Sequence, residues 1–282
     1  MSEDERSRSI RRIVVALDAS RQSQVVLEAA AELAARLGAD LVGLFIEDTN
    51  LLNLASSPFG RELSRFSSTP HQMQSEQLER QLRIQASQLR RALAAAADRQ
   101  QVSGTLRVVR GQIVPELVRA AAECDLIILG RADQSLARQR RLGNTARVFL
   151  AQTPHLTLLW QTETRLGPPV LAVYDGSAVA QRALALAAQL VQTSERALSV
   201  ILVAEAQTIA QELQQAAVTW LQTQALTATY RWLSSINLIR LAQLVALERG
   251  SVVVLPRASV WAQNEALLAL LDEIRASVLV VQ

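Results

Sequence analysis

Residues 124–148 read CDLIILGRADQSLARQRRLGNTARV. An apolar run stops at Gly130, a basic stretch follows, and Gly143 opens a segment with helical character. A short apolar run bounded by turn residues is the signature of a strand buried on both faces. Glycine at the end of such a strand lets backbone approach backbone or phosphate, because no Cβ intervenes. Glycine at a helix start leaves free amides and the helix dipole facing an anion. Each glycine also has a plainer reading, as a simple turn or helix start.

The same alternation extends outward. Residues 11–17 form a β-branched run that predicts a strand, followed by Asp18-Ala19-Ser20, where the aspartate or serine can cap a helix over 22–37. Gly38 is placed to end that helix, and 40–48 (DLVGLFIED) predicts a second strand. A helix over 74–98, with Leu78, Leu82, Leu89, Leu93 and Ala96 as its buried stripe, precedes a strand at 104–110. On this helix Glu79 and Arg83 have the spacing of an ion pair. A helix over 113–123 carries Pro115 in its first turn, where proline is tolerated. Then come the strand at 124–130, a helix at 143–152 and a strand at 155–160 (HLTLLW). Strands alternating with helices predict a parallel α/β sheet. Residues 49–73 break the rhythm with prolines, serines and scattered Leu51, Leu52, Leu54, Phe59 and Phe66. Too apolar for a free linker, this stretch reads either as a lid or interface segment or as a loop packed over its own domain.

The pattern then restarts after a linker at 162–169. VLAVYDGS (170–177) answers VVALDAS, with Asp175 in the place of Asp18. Helices at 178–192, 206–224 and 236–248 alternate with strands at 197–204 and 227–234. GSVVVLPRAS (250–259) matches CDLIILGRAD (124–133) in hydrophobic pattern, and SVLVVQ (277–282) matches HLTLLW. A repeat of roughly 140 residues is a duplicated domain rather than a solenoid unit. The expectation is two domains, 10–161 and 168–282, each an open, mostly parallel five-stranded sheet with flanking helices.

Composition narrows the chemistry. Of 282 residues, half are apolar and 29 are basic. Every basic residue is arginine, and there is no lysine. That excludes a P-loop, which needs lysine on the phosphates, and Schiff-base or protein-kinase chemistry. A net charge of +3 gives no reason to expect a nucleic-acid partner. No apolar run approaches the roughly 18 residues of a membrane helix, and the charged start MSEDERSRS has no signal-peptide character, so a cytoplasmic protein with no membrane partner is expected. The single cysteine, Cys124, allows no internal disulfide, and neither His71 nor His155 forms a local pattern with it.

The strand order, the D-A-S and D-G-S ends and the glycine loop resemble the universal stress protein family, over nearly the full chain and as a tandem member. The resemblance implies a Rossmann-like fold of the adenine-nucleotide alpha-hydrolase type. ATP-binding members of the family carry glycine, two residues, glycine, nine residues, glycine, then serine or threonine. Gly130 and Gly143 fit the first and third glycines; Asp133 stands at the second, and Asn144 followed by Thr145 at the fourth position. By that resemblance Asp18 sits by ribose or adenine, Ile46 and Leu129 flank the base, and Gly130, Gly143, Asn144 and Thr145 line the phosphates. Asp18 has the competing role of helix cap, and Ile46 and Leu129 that of core residues.

Asp133 is the chemical departure. Two like charges 4 Å apart cost about 1 kcal/mol in water and about 4 at an effective dielectric of 20, the latter close to a thousandfold in affinity. Arg131, Arg138, Arg140 and Arg141 could offset it or simply form a solvated basic face. The second half retains less: Pro256 replaces the first glycine and offers no amide, and no glycine follows position 250. The resemblance implies that the two last strands pair, within the chain or between chains.

The expectation is therefore a stress-response binding protein with at most one adenine-nucleotide site, degenerate, in the first domain. The ligand would be ATP, ADP or AMP, bound weakly or not at all, with Mg²⁺ only alongside nucleotide. The alternative is a scaffold without nucleotide, acting through a protein partner or self-association, with 49–73 as its contact segment. A slow ATP hydrolase ranks last: no Ser-His-Asp spacing, catalytic carboxylate pair or metal-ligand cluster is present, and Asp18 with Glu47 is a thin basis for a metal. The chain is expected not to be an enzyme.

Overall fold

The computed structural model describes residues 10–18, 20–56, 61–62, 71–72, 75–131, 142–161, 169–192, 198–234, 238–248, 252–257 and 264–282. The chain divides into two compact units, Met1–Asp125 and Leu126–Gln282.

The first unit runs β1 (Arg12–Leu17), α1 (Arg21–Leu37), β2 (Asp40–Asp48), α2 (Thr49–Ser56), the two-residue strands β3 (Arg61–Glu62) and β4 (His71–Gln72), α3 (Ser75–Gln100), β5 (Gly104–Gly111) and α4 (Ile113–Ala121). β1, β2 and β5 lie side by side and parallel, with Arg12 opposite Asp40 and Leu41 opposite Gly104. Gly38 closes α1 in the left-handed conformation, φ 64°, its amide reaching the Ala34 and Ala35 carbonyls. α1 and α3 pack on each other and on the sheet. Leu78, Leu82, Leu89, Leu93 and Ala96 are all buried on α3, as their spacing predicts. β3 and β4 form a small antiparallel pair of their own.

Two local expectations are corrected here. The 49–73 stretch opens with a regular helix, α2, which packs on α3 and β2; Asp48, the last residue of β2, accepts the Asn50 amide at 2.9 Å and starts it. Phe59 and Phe66 lie outside the described residues. Glu79 and Arg83 do not pair through their side chains: Arg83 Nε donates to the Glu79 carbonyl at 3.3 Å, and the Glu79 carboxylate lies 3.6 Å from Arg110.

The second unit runs β6 (Leu126–Gly130), α5 (Asn144–Gln152), β7 (Thr157–Trp160), β8 (Val170–Tyr174), α6 (Ala178–Gln192), β9 (Leu198–Val203), α7 (Gln207–Thr223), β10 (Ala228–Leu233), α8 (Leu238–Leu247), β11 (Val252–Pro256), α9 (Asn264–Glu273) and β12 (Ser277–Val281). Its strands lie in the order β10-β9-β8-β11-β12-β7-β6. The five strands of the second repeat, β8 to β12, are parallel and wind outward in both directions from β8 and β11, the doubly wound arrangement. β7 and β12 pair antiparallel, centred on Leu158 opposite Leu279. The last strands of the two repeats thus pair within one chain. This rung also shifts the match of SVLVVQ to HLTLLW by one residue. Every residue of β8, β9, β11 and β12 is buried, which is why these strands read as continuous apolar runs. α9 is an addition to the elements legible in the sequence.

Close packing of α3 on the first unit's sheet yields a stability prediction. A Cβ built on Gly104 would lie 2.6 Å from the Ala97 Cβ, which has no torsion with which to retreat. Gly104→Ala is expected to cost about 1–3 kcal/mol. A shift of the urea midpoint measures it, and an unchanged midpoint would refute the packing argument.

Candidate functional site

In the first unit, Asp18 follows β1 directly and is exposed at the carboxyl end of the strand. Its carboxylate is engaged. Oδ1 accepts the Ser20 amide at 2.9 Å and the Ser23 hydroxyl at 2.6 Å, and Ser23 Oγ in turn accepts the Asp18 amide at 2.8 Å. Ser20 Oγ caps α1 by accepting the Ser23 amide at 3.2 Å. Partial burial pulls the Asp18 pKa up, but the bonds from Ser20 and Ser23 outweigh it and hold the carboxyl below its ordinary value. Ile46 is half-buried in β2, opposite Val109. Glu47 lies 3.0 Å from Arg110, so the second carboxylate considered for a metal already has a cationic partner. Among the described residues no group of three or more His, Cys, Asp or Glu could hold a metal ion.

A cleft of about 370 Å³ in this unit involves none of the expected residues. It is lined by Val14, Val42 and Leu44 with Arg12, Asp40 and Arg107, toward the amino ends of β1 and β2 and beside α4. It lies at the opposite end of the strands from Asp18.

In the second unit, Leu129 is 4% exposed and packs in the core of β6, opposite Leu159. Gly130 is exposed at the strand end, paired with Trp160. The Trp160 indole N–H is buried with no acceptor among the described residues. Gly143 is the N-cap of α5 and supplies no side-chain cap. Asn144 and Thr145 are exposed in the first turn. Among the described residues, no acceptor meets the amides of Gly143, Asn144, Thr145 or Ala146. Such open helix-start amides suit an anion. Asp133, Arg138, Arg140 and Arg141 lie outside the described residues. Arg131 is 7% exposed, and its guanidinium points into the protein, donating to the carbonyls of Ile274 (2.8 Å) and Leu271 at the end of α9.

At the matching place in the second repeat, Asp175 Oδ1 accepts the Ser177 amide at 2.9 Å, and Ser177 Oγ caps α6 through the Ala180 amide at 3.1 Å. This reproduces the Asp18–Ser20 turn. Pro256 ends β11 and carries no amide. The residues that sequence reasoning missed are Asp272, Arg147 and Arg257. Asp272 and Arg257 hold α5 in place from distant parts of the chain, Asp272 by pairing with Arg147 on the helix itself, and no local spacing announces them.

A mostly parallel α/β protein with Asp-x-Ser turns leading from strand to helix is the class these features define. The sequence pattern of the universal stress protein family matches residues 9–159, and the chain belongs to that family. A comparison with curated proteins finds no match. Among solved structures, a universal stress protein from Archaeoglobus fulgidus superposes with a TM-score of 0.71 at 16% identity, over 95% of this chain and 97% of that one. A functionally unknown protein from Pseudomonas aeruginosa superposes with a TM-score of 0.66, also at 16% identity, over 98% of this chain and 94% of that one. Both likenesses of fold run nearly the whole length of the chain. Among the described residues no helix is long and apolar enough to cross a membrane.

The Asp18 network predicts a pH-dependent contribution to stability. A carboxyl with a depressed pKa in the folded chain stabilises above its unfolded pKa, and that stabilisation is lost as pH falls through the folded value. Asp18→Asn is expected to lower stability at pH 7, with the deficit shrinking below about pH 4. Urea denaturation at pH 7 and pH 3 compares the two chains; an equal deficit at both would show that charge is not the cause.

Proposed function

We propose that this chain is a non-enzymatic stress-response regulator, built as two repeat domains over 10–161 and 168–282, with a single weakened adenine-nucleotide site. Family membership supports the stress-response role. The observation that carries the site is the uncapped start of α5, where the amides from Gly143 to Ala146 have no acceptor among the described residues. In the proposal these amides and the Asn144 and Thr145 side chains take the phosphates, and Gly130 allows close approach at the end of β6. Asp18 and Ile46 keep the roles that the family pattern implies for ribose and base. Leu129 contributes from the core rather than as an open wall.

Asp133 sets the strength of this site. A carboxylate in place of the second glycine of the loop repels the most highly charged ligand most, so AMP is favoured over ADP and ADP over ATP, with Mg²⁺ entering only with nucleotide. The second repeat has no matching site, because Pro256 lacks the amide and no later glycine exists. We place the protein in the cytoplasm.

A second reading has its own support. Asp18 is engaged in capping and Leu129 in packing, so two of the expected residues are fully accounted for without a ligand. In that reading the chain is a scaffold acting through protein contacts, with α2 and the residues that follow it as the contact segment.

Equilibrium binding of AMP, ADP and ATP with Mg²⁺, by the unmodified chain and by Asp133→Gly, decides between them. The proposal expects weak binding of AMP and a gain of about tenfold or more for ATP in Asp133→Gly. Absence of binding in both chains would leave the scaffold reading. Tight ATP binding by the unmodified chain would show that Asp133 does not weaken the site.

A further inference from the structure

The start of α5 is held from outside its own repeat. Asp272, at the end of α9, accepts the Leu142 amide at 2.8 Å through Oδ1 and pairs with Arg147 through Oδ2. Arg147 Nε also donates to the Leu142 carbonyl at 3.0 Å. The peptide groups on both sides of Leu142, which is itself 3% exposed, are therefore fixed immediately before the Gly143 cap.

The other end of α5 is held in the same way. Thr153, its C-cap, is buried, and its carbonyl accepts from Arg257 at 2.9 Å and from Gln282 Nε2 at 3.1 Å. Arg257 follows β11 as Arg131 follows β6. The exchange is reciprocal: Arg131 donates to carbonyls at the end of α9, while Arg257 donates to the carbonyl at the end of α5. A cation at a helix C-terminus satisfies orphan carbonyls and complements the dipole.

We propose that Asp272 and Arg257 are positioning residues through which the second repeat fixes the anion-receptive helix α5, so that one repeat sets the geometry of the helix start that receives the anion in the other. The functional half of this statement rests on the nucleotide reading above. Charge and geometry make opposite demands, which renders it testable. Removing the Asp272 carboxylate takes a negative charge away from an anion site, which by electrostatics alone strengthens phosphate binding. If its role is positional, removal weakens binding instead.

The experiment compares Asp272→Ala, Asp272→Asn and Arg257→Met by amide hydrogen exchange and by AMP titration. Exchange in β8 and β9 serves as the folding control. Asp272→Ala is expected to raise exchange at Leu142 and in the first turn of α5 and to weaken AMP binding by about tenfold. Asn retains an acceptor for the Leu142 amide, so Asp272→Asn is expected to restore protection at Leu142 and to bind AMP at least as well as the unmodified chain. Arg257→Met is expected to raise exchange at the C-terminal turn of α5. Unchanged exchange at Leu142 in Asp272→Ala overturns the clamp. Raised exchange with unchanged or tighter AMP binding overturns the positional role. If the unmodified chain binds no AMP, the nucleotide reading fails, and the exchange comparison still decides whether the second repeat fixes the helix.

Discussion

The antiparallel rung of Leu158 and Leu279 is the contact on which the second unit is organised. β7 and β12 are each the last strand of a repeat, and both are almost wholly apolar: Leu158, Leu159, Val278 and Val280 are each no more than 3% exposed. A strand of that composition left at a sheet edge presents unpaired amides and carbonyls on an apolar ribbon, the arrangement that invites aggregation. Pairing the two with each other removes both edges at once. It also fixes what lies one residue past each neighbouring strand. Arg131 follows β6 with its amide on the Trp160 carbonyl, and Arg257 follows β11 with its amide on the Val281 carbonyl, at 2.9 and 2.7 Å. Their side chains then meet the helix ends supplied by the opposite repeat. The reciprocal capping is a consequence of the rung.

The Asp-x-Ser ends of β1 and β8 show how a motif can owe its form to local physics. Both make the same turn, with the aspartate carboxylate on the serine amide at 2.9 Å and the serine hydroxyl on the helix. The turn forms equally well in the repeat that has Pro256 where a phosphate loop would begin. Helix initiation therefore accounts for Asp18 and Asp175 without a ligand. The start of α5 differs: Gly143 forgoes a side-chain cap, at a cost of only a few tenths of a kcal/mol, and its amides meet no acceptor among the described residues. Among these helix starts, it is the open one that carries the argument for an anion.

How legible each element was in the sequence follows from where its determinants lie. β1, β6, β8, β9, β11 and β12 are readable because burial makes a strand a continuous apolar run. α1 was bounded by a cap at Ser20 and a left-handed glycine at Gly38, both local signals. α9 was passed over because nothing local ends it: no glycine follows, and its last carbonyls are taken by Arg131 from across the fold. α2 was hidden among serines and asparagines because its first turn is started by Asp48, a residue that reads as strand. Glu79 was assigned to Arg83 by helical spacing, whereas the fold brings Arg110 to it from β5. At the candidate site the same division holds. Gly130 and Gly143 are marked by spacing along the chain, while Asp272 and Arg257 become visible only when the fold brings them to α5.

That division bears on what a duplicated chain can do. The last helix of the second repeat, α9, packs where the pairing of β7 and β12 puts it. Asp272 on that helix reaches the peptide before Gly143, and Arg257 and Gln282 reach the carbonyl of Thr153. A helix nine residues long is too short to be stable by its own propensity. Its position must come from tertiary contacts, and contacts at both ends of α5 come from the second repeat. The placing of α5 is therefore a property of both repeats.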